Sequence, residues 1–221
     1  MRVSEIFYSI QGEGVLSGTP SVFVRLAGCN LSCSWCDTKY ASRDTEGEEL
    51  TVDEIIRRVA EYPARHFVLT GGEPMIADEI HCLAERLNAL GKHVTIETNA
   101  TVAPDGIRAD LASLSPKLRH SQAKANADPP WRLDVLRDWI DRYEYQLKFV
   151  VKSEGDILEV HELLGMLERY VPSDKVLLMP EGVDMDTVRG REAMVAGLCK
   201  EHGYRYCRRL HLEMYGGREG I

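Results

Sequence analysis

Three cysteines, Cys29, Cys33 and Cys36, fall close together in AGCNLSCSWCDT (27–38), and no fourth follows before Cys82. Thiolates are ligands for soft metals, so the cluster points to zinc or to iron and sulfide. A structural zinc site closes its tetrahedron with four protein ligands, and a ferredoxin-type cluster takes four cysteines. Three leave a corner open. On a [4Fe–4S] cube that corner is an iron able to take a small molecule, so the missing ligand marks a reaction site. The competing readings are a zinc site completed by His81 or His93, and three thiols that merely pack. Clustering in a reducing compartment favours metal or catalysis.

The bulk properties fit such a compartment. The chain has 221 residues, 44% hydrophobic and 28% charged, which suits one soluble domain spanning 1–221. No apolar run approaches the ~18 residues of a membrane span. The N-terminus MRVSEIFYSI has no basic, apolar and cleavable pattern, so a cytoplasmic location with reduced thiols is expected. Cys82, Cys199 and Cys207 are expected to pack as small hydrophobes. A net charge of −8 argues against a nucleic-acid partner. Arg205, Arg208 and Arg209 form a local basic group that reads as a solvated strand edge.

Elements must bring these residues together. Strand-like runs occur at SVFVRLAG (21–28), HFVLTGG (66–72), HVTIETN (93–99), DLASLSP (110–116), YQLKFVVK (145–152) and KVLLMPEG (175–182). Helical periodicity fills most of the gaps, at 51–62, 76–91, 132–141, 155–170 and 186–202. The first of these opens on a capping box, Thr51 and Glu54, with Val52, Ile55, Ile56 and Val59 on one stripe. The second ends in a glycine suited to a C-cap. SRDTEGEEL (42–50), SQAKANADPP (121–130) and the tail GGREGI are the loosest stretches. Alternating strand and helix imply a parallel sheet, open or barrel-like, with ligands at the carboxyl ends of the strands. The unusual residues lie at those ends.

The cysteine spacing, three intervening residues and then two, resembles the cluster loop of the radical S-adenosylmethionine (radical SAM) superfamily. In that superfamily the open iron is chelated by the cofactor's methionine moiety, and one electron yields a 5′-deoxyadenosyl radical. TGGEP (70–74) matches its glycine-rich stretch, where the bare backbone of Gly72 admits a ligand and Glu73 meets the methionine ammonium. The resemblance further assigns Trp35, Asp37, Thr98, Asn99, Ser115, Pro116 and Lys117 to S-adenosylmethionine, Trp35 as a shield against water. It implies an α/β fold, a reduced, partial (β/α)6 barrel, because a full eight-fold barrel takes about 250 residues.

EIFYSIQGEG (5–14), RLAGCNLSCSWCDT (25–38) and SPK together resemble the 7-carboxy-7-deazaguanine synthase family over essentially the whole chain. That resemblance implies contraction of 6-carboxy-5,6,7,8-tetrahydropterin to 7-carboxy-7-deazaguanine with loss of ammonia, in queuosine and 7-deazapurine biosynthesis. It also implies Mg2+, a low-potential reductant such as a flavodoxin, and a homodimer. A pterin presents a flat donor edge and a carboxylate. Gln11 and Glu13 are expected to read the edge through their oxygens, with the backbone of Ile10 and Gly12 closing on the ring. Arg25 is expected to grip the carboxylate, and Arg25 and Glu13 are the expected catalytic pair. Generic chemistry makes Asp37 the magnesium ligand, whereas the family assigns Thr38, a hydroxyl being enough where the substrate carboxylate supplies the negative oxygen. Thr70 and His211 complete the substrate set. RLHLEMYG departs from shorter family members and GGREGI extends beyond them. An activase for a glycyl-radical enzyme and a non-catalytic iron–sulfur redox protein are the rival functions.

Overall fold

The structure, a computed structural model, describes residues 1–43, 47–122, 128–216, 218 and 220. The three loose stretches therefore fall partly outside the described residues.

The chain opens with an antiparallel hairpin, β1 (Arg2–Ile10) and β2 (Pro20–Leu26), and continues through a short β3 (Glu48–Glu49). Five strands follow at the expected places: β4 (His66–Gly71), β5 (His93–Thr98), β6 (Leu111–Leu114), β7 (Tyr145–Val151) and β8 (Val176–Pro180), then a two-residue β9 (Arg205–Tyr206). All belong to one nine-stranded sheet ordered β3-β1-β2-β4-β5-β6-β7-β8-β9, parallel from β2 to β9. The ends of that order do not pair, so the barrel is partial. β1, β3 and β9 were not among the expected strands. β1 is held by its hairpin partner, with Phe7 stacked on Phe23 at 4.9 Å.

Helices α1 (Val52–Val59), α2 (Ile80–Ala89), α3 (Leu133–Arg142), α4 (Asp156–Met166) and α5 (Met185–His202) cover one face, and a short α6 (Leu210–Tyr215) closes the chain. The capping box of α1 forms as expected, Thr51 accepting from the Glu54 amide and Glu54 from the Thr51 amide. The expected helix over 76–91 is divided. Pro74–Ile76 makes a separate 3-10 turn that Glu73 closes by accepting from the Met75 amide, and α2 starts only at Ile80. Gly91, at φ +68, ends it in the left-handed conformation anticipated for a C-cap glycine. The crossover from β5 to β6 carries no helix.

Side chains alternate across a strand, and here the two faces differ in chemistry. Toward the helices point Val22, Val24, Phe67, Leu69, Val94, Ile96, Leu147 and Phe149, all in the main core. Toward the concave side point Arg25, Thr70, Glu97, Ser113, Gln146 and Lys148. The core thus lies outside the sheet and leaves the inner face for a polar site. Cys199 and Cys207 pack as expected, but Cys82 does not: it is exposed on the solvent side of α2.

Candidate active site

A cavity of about 650 Å³ opens on the concave face, over the carboxyl ends of the parallel strands. The expected site residues all line it except Glu73 and Pro116. Cys29, Cys33 and Cys36, on the loop after β2, are each partly exposed there. Backbone contacts fix the loop: the Gly28 amide donates to the Ala41 carbonyl, and the Glu73 amide donates to the Gly28 carbonyl, both at 2.9 Å. Gly72 is required at this crossing, because a Cβ there would stand 2.0 Å from the Gly28 carbonyl oxygen.

Burial raises the thiols of Cys29 and Cys33, and neighbouring acidic groups, Cys36 among them, add to the rise. Three thiolates at one cavity mouth therefore need a counter-charge, and a soft cationic cluster supplies one. Among the described residues no three His, Cys, Asp or Glu side chains converge on a single ion. His81 and His93 do not line the cavity, and His93 instead lies beside His66, rings 4.8 Å apart, at the opposite ends of the strands. The donor set fits a cluster held at three corners.

Next to the cysteines, Trp35 packs under the Lys117 ammonium, 5.6 Å from the ring centre, and its buried indole N–H has no hydrogen-bond partner among the described residues. The Lys117 ammonium donates to Ser115 at 2.8 Å. Asn99 bonds to Asn30 at 2.9 Å, joining the end of β5 to the cysteine loop. Orphaned indole, bare glycine backbone and strand-end hydroxyls suit a nucleoside-bearing cofactor. Glu73 differs from expectation. It is 1% exposed, and its carboxylate accepts from Thr98 Oγ1 and the Asn99 amide at 2.7 Å and from the Met75 amide at 3.1 Å. With its oxygens engaged beneath the cavity it braces the turn. Burial nevertheless pushes its carboxyl above the usual range.

The other half of the cavity is a network of paired charges. Gln11 does not offer its oxygen to a ligand: Oε1 accepts from the Glu13 amide at 3.0 Å and Nε2 donates to Glu97 at 3.1 Å. Glu97 also accepts from the Thr70 hydroxyl at 2.9 Å. Glu13 Oε2 is paired with the Lys148 ammonium, while Oε1 stands 3.5 Å from Arg209 Nε and 3.9 Å from His211 Nε2. Burial alone would raise the Glu13 carboxyl, but Lys148, Arg209 and His211 together hold it well below the usual range. Arg25 donates from Nε to Glu5 at 2.6 Å, an oxygen Tyr40 also reaches. Asp37 pairs through Oδ2 with Arg209, and the Thr38 hydroxyl lies 3.8 Å from Cys36 Sγ; both residues line the cavity. That donor set suits a hard ion that keeps its waters and takes a ligand carboxylate. Arg209 is thus no part of a surface basic patch: it is 5% exposed and joins Asp37, Glu13 and the Gly182 carbonyl.

His211 packs on the bare backbone of Gly12, where a Cβ would stand 2.3 Å from its ring, and the Leu210 amide donates to the Gly12 carbonyl at 3.0 Å. Lys148, Glu97, Glu5 and Arg209 were missed as site residues. Polar residues at alternate positions inside apolar strand runs, as in YQLKFVV and HVTIET, were the available signal for Lys148 and Glu97.

Similarities to known proteins bear on this site. The Radical SAM superfamily profile matches residues 23–122. A 7-carboxy-7-deazaguanine synthase of Halobacterium salinarum is 44% identical, covering 97% of this chain and 90% of its own. Another from Rhodopirellula baltica is 42% identical over 100% of this chain and 88% of its own. The crystal structure of QueE from Escherichia coli matches with a TM-score of 0.73 at 27% identity, covering 95% of this chain and 94% of that one.

Proposed function

This chain belongs to the 7-carboxy-7-deazaguanine synthase family of radical SAM enzymes, and we propose that it converts 6-carboxy-5,6,7,8-tetrahydropterin to 7-carboxy-7-deazaguanine with loss of ammonia. The observation that carries this reading is one cavity bordered by three open thiols on one side and by a carboxylate-and-cation network on the other. The rival functions are not favoured. A glycyl-radical activase must admit a protein segment, and an electron carrier needs no such network.

Cys29, Cys33 and Cys36 hold the [4Fe–4S] cluster; Gly72, Thr98, Asn99, Ser115, Lys117 and Trp35 border the place for S-adenosylmethionine. Pro116, buried between Ser115 and Lys117, belongs to the same proposed set. When bound, the two groups would supply radical hydrogen-abstraction chemistry at the substrate. The protein's part is to orient and exclude water. Arg25, its Nε committed to Glu5, has its terminal amino groups left for the substrate carboxylate. Thr38 would hold magnesium, which would supply positive charge beside the same carboxylate. Glu13 accepts from the donor edge of the ring, Ile10 and Gly12 close on its faces, and Thr70 and His211 lie around it. Gln11 acts through Glu13, whose amide it fixes. Residues 1–221 act as one radical SAM domain, as a cytoplasmic homodimer drawing electrons from a low-potential flavodoxin. No helix among the described residues is long and apolar enough to cross a membrane.

Anaerobically reconstituted protein with dithionite, S-adenosylmethionine and 6-carboxytetrahydropterin tests the reading. The expected result is an absorbing deazaguanine product. Formation of 5′-deoxyadenosine with no deazaguanine would leave the superfamily chemistry standing and overturn the substrate.

A further inference from the structure

Lys148 has no part in the assignments above, yet it sits at the centre of the substrate side. It lies on β7, where Gln146, Lys148 and Val150 face the cavity side and Leu147, Phe149 and Val151 face the core. Its side chain is 8% exposed and that of Glu13 is 14% exposed. A lysine buried to this degree is retained only with a fixed partner. The partner is one oxygen of Glu13. Lys148 engages Oε2 alone, while the nearest side-chain nitrogens to Oε1, Arg209 Nε and His211 Nε2, stay at 3.5 and 3.9 Å. Arg209 Nε is itself buried without an aligned hydrogen bond among the described residues. The carboxylate, on a residue that lines the cavity, is therefore divided: Oε2 is taken by Lys148, and Oε1 has Arg209 and His211 only at the longer distances.

We infer that Lys148 is a positioning residue for the substrate's donor edge, which pins Glu13 through Oε2 so that Oε1 is presented to the ring amidine. The inference rests on the proposed pterin reading. Lys148 is no proton shuttle, because Glu13 and Glu97 outweigh burial and keep its ammonium charged beyond the ordinary lysine range. The groups facing Glu13 are Lys148 from β7, Arg209 and His211 from the C-terminal segment, with Cys207 beside them. Of these only Lys148 touches the carboxylate as a hydrogen-bond donor. Removing it leaves a buried carboxyl facing Arg209 at ion-pair distance. Its titration then moves up from the wild-type position, and a protonated Glu13 offers one acceptor fewer to the ring.

The test uses the reconstituted holoenzyme and equilibrium binding of 7-carboxy-7-deazaguanine, a stable probe with the same donor edge, measured from about pH 5.5 to pH 8.5. Wild type should bind with little pH dependence on the acid side. K148M should bind at least about 10-fold more weakly at the acid end and recover as pH rises, whereas K148R should keep the wild-type profile. In an E13Q background K148M should add less than about 2-fold, since both act through one contact. A pH-independent loss in K148M that multiplies with the loss in E13Q would overturn the inference, as would K148M binding like wild type. If K148M does not fold, a K148R enzyme with an acid limb absent from wild type overturns it. Wild type that neither binds the probe nor turns over the pterin would defeat the substrate reading itself, a separate outcome.

Discussion

At the scale of single residues, charge placement is where the site is most specific. Arg25 spends Nε on Glu5 and leaves a planar fork for a carboxylate, so R25K keeps charge but loses the geometry. Its KM for the pterin should rise by about 10- to 100-fold with cofactor cleavage in the absence of substrate unchanged, measured by steady-state kinetics. Glu13 yields a pH prediction. Its folded carboxyl titrates below the ordinary 4.5, so its contribution to stability is complete above that value and is lost as pH falls through the folded value. The stability difference between wild type and E13Q, from denaturant melts, should be flat at neutral pH and shrink only in strong acid. The cysteine loop, Arg25 and Glu13 were legible because their types and spacing are local. Lys148 and Arg209 were not, because their meaning comes from partners 135 and 172 positions away.

At the scale of elements, the turn after β4 carries the cofactor side and is held by buried hydrogen bonds from the end of β5. E73A leaves the Asn99 amide and the Thr98 hydroxyl without their acceptor, and each buried orphan costs about 1–3 kcal/mol. Thermal melts of the apoprotein should show that loss, together with weakened S-adenosylmethionine binding. T51A is the contrast. It removes the cap of α1 on the solvent side and should cost about 1 kcal/mol with cofactor binding unchanged. The six central strands were readable from short runs rich in β-branched residues between turns. β1 was not, since RVSEIFYSI gains its strand state from pairing with β2 and from the Phe7–Phe23 stack. The split of 76–91 was hidden for a similar reason: Glu73 closes the Pro74–Ile76 turn through a side chain outside the periodic run.

At the scale of the whole molecule, the sheet divides labour between its faces, with the apolar core under the helices and the chemistry on the concave side. F149A should therefore destabilise the fold by about 3–5 kcal/mol while cluster content and cofactor binding, measured well below the melting temperature, stay at wild-type level. The alternation inside YQLKFVV already encodes this division, but which face becomes the cavity depends on how the open sheet curves, which no local stretch specifies. The central claim concerns the open corner of the cysteine set. Its most direct test is electron paramagnetic resonance of the dithionite-reduced, reconstituted protein with and without S-adenosylmethionine. The account predicts a [4Fe–4S] signal that shifts when the cofactor is added, and loses that signal in C33A. A metal centre whose spectrum ignores the cofactor, or one that survives C33A intact, would contradict it.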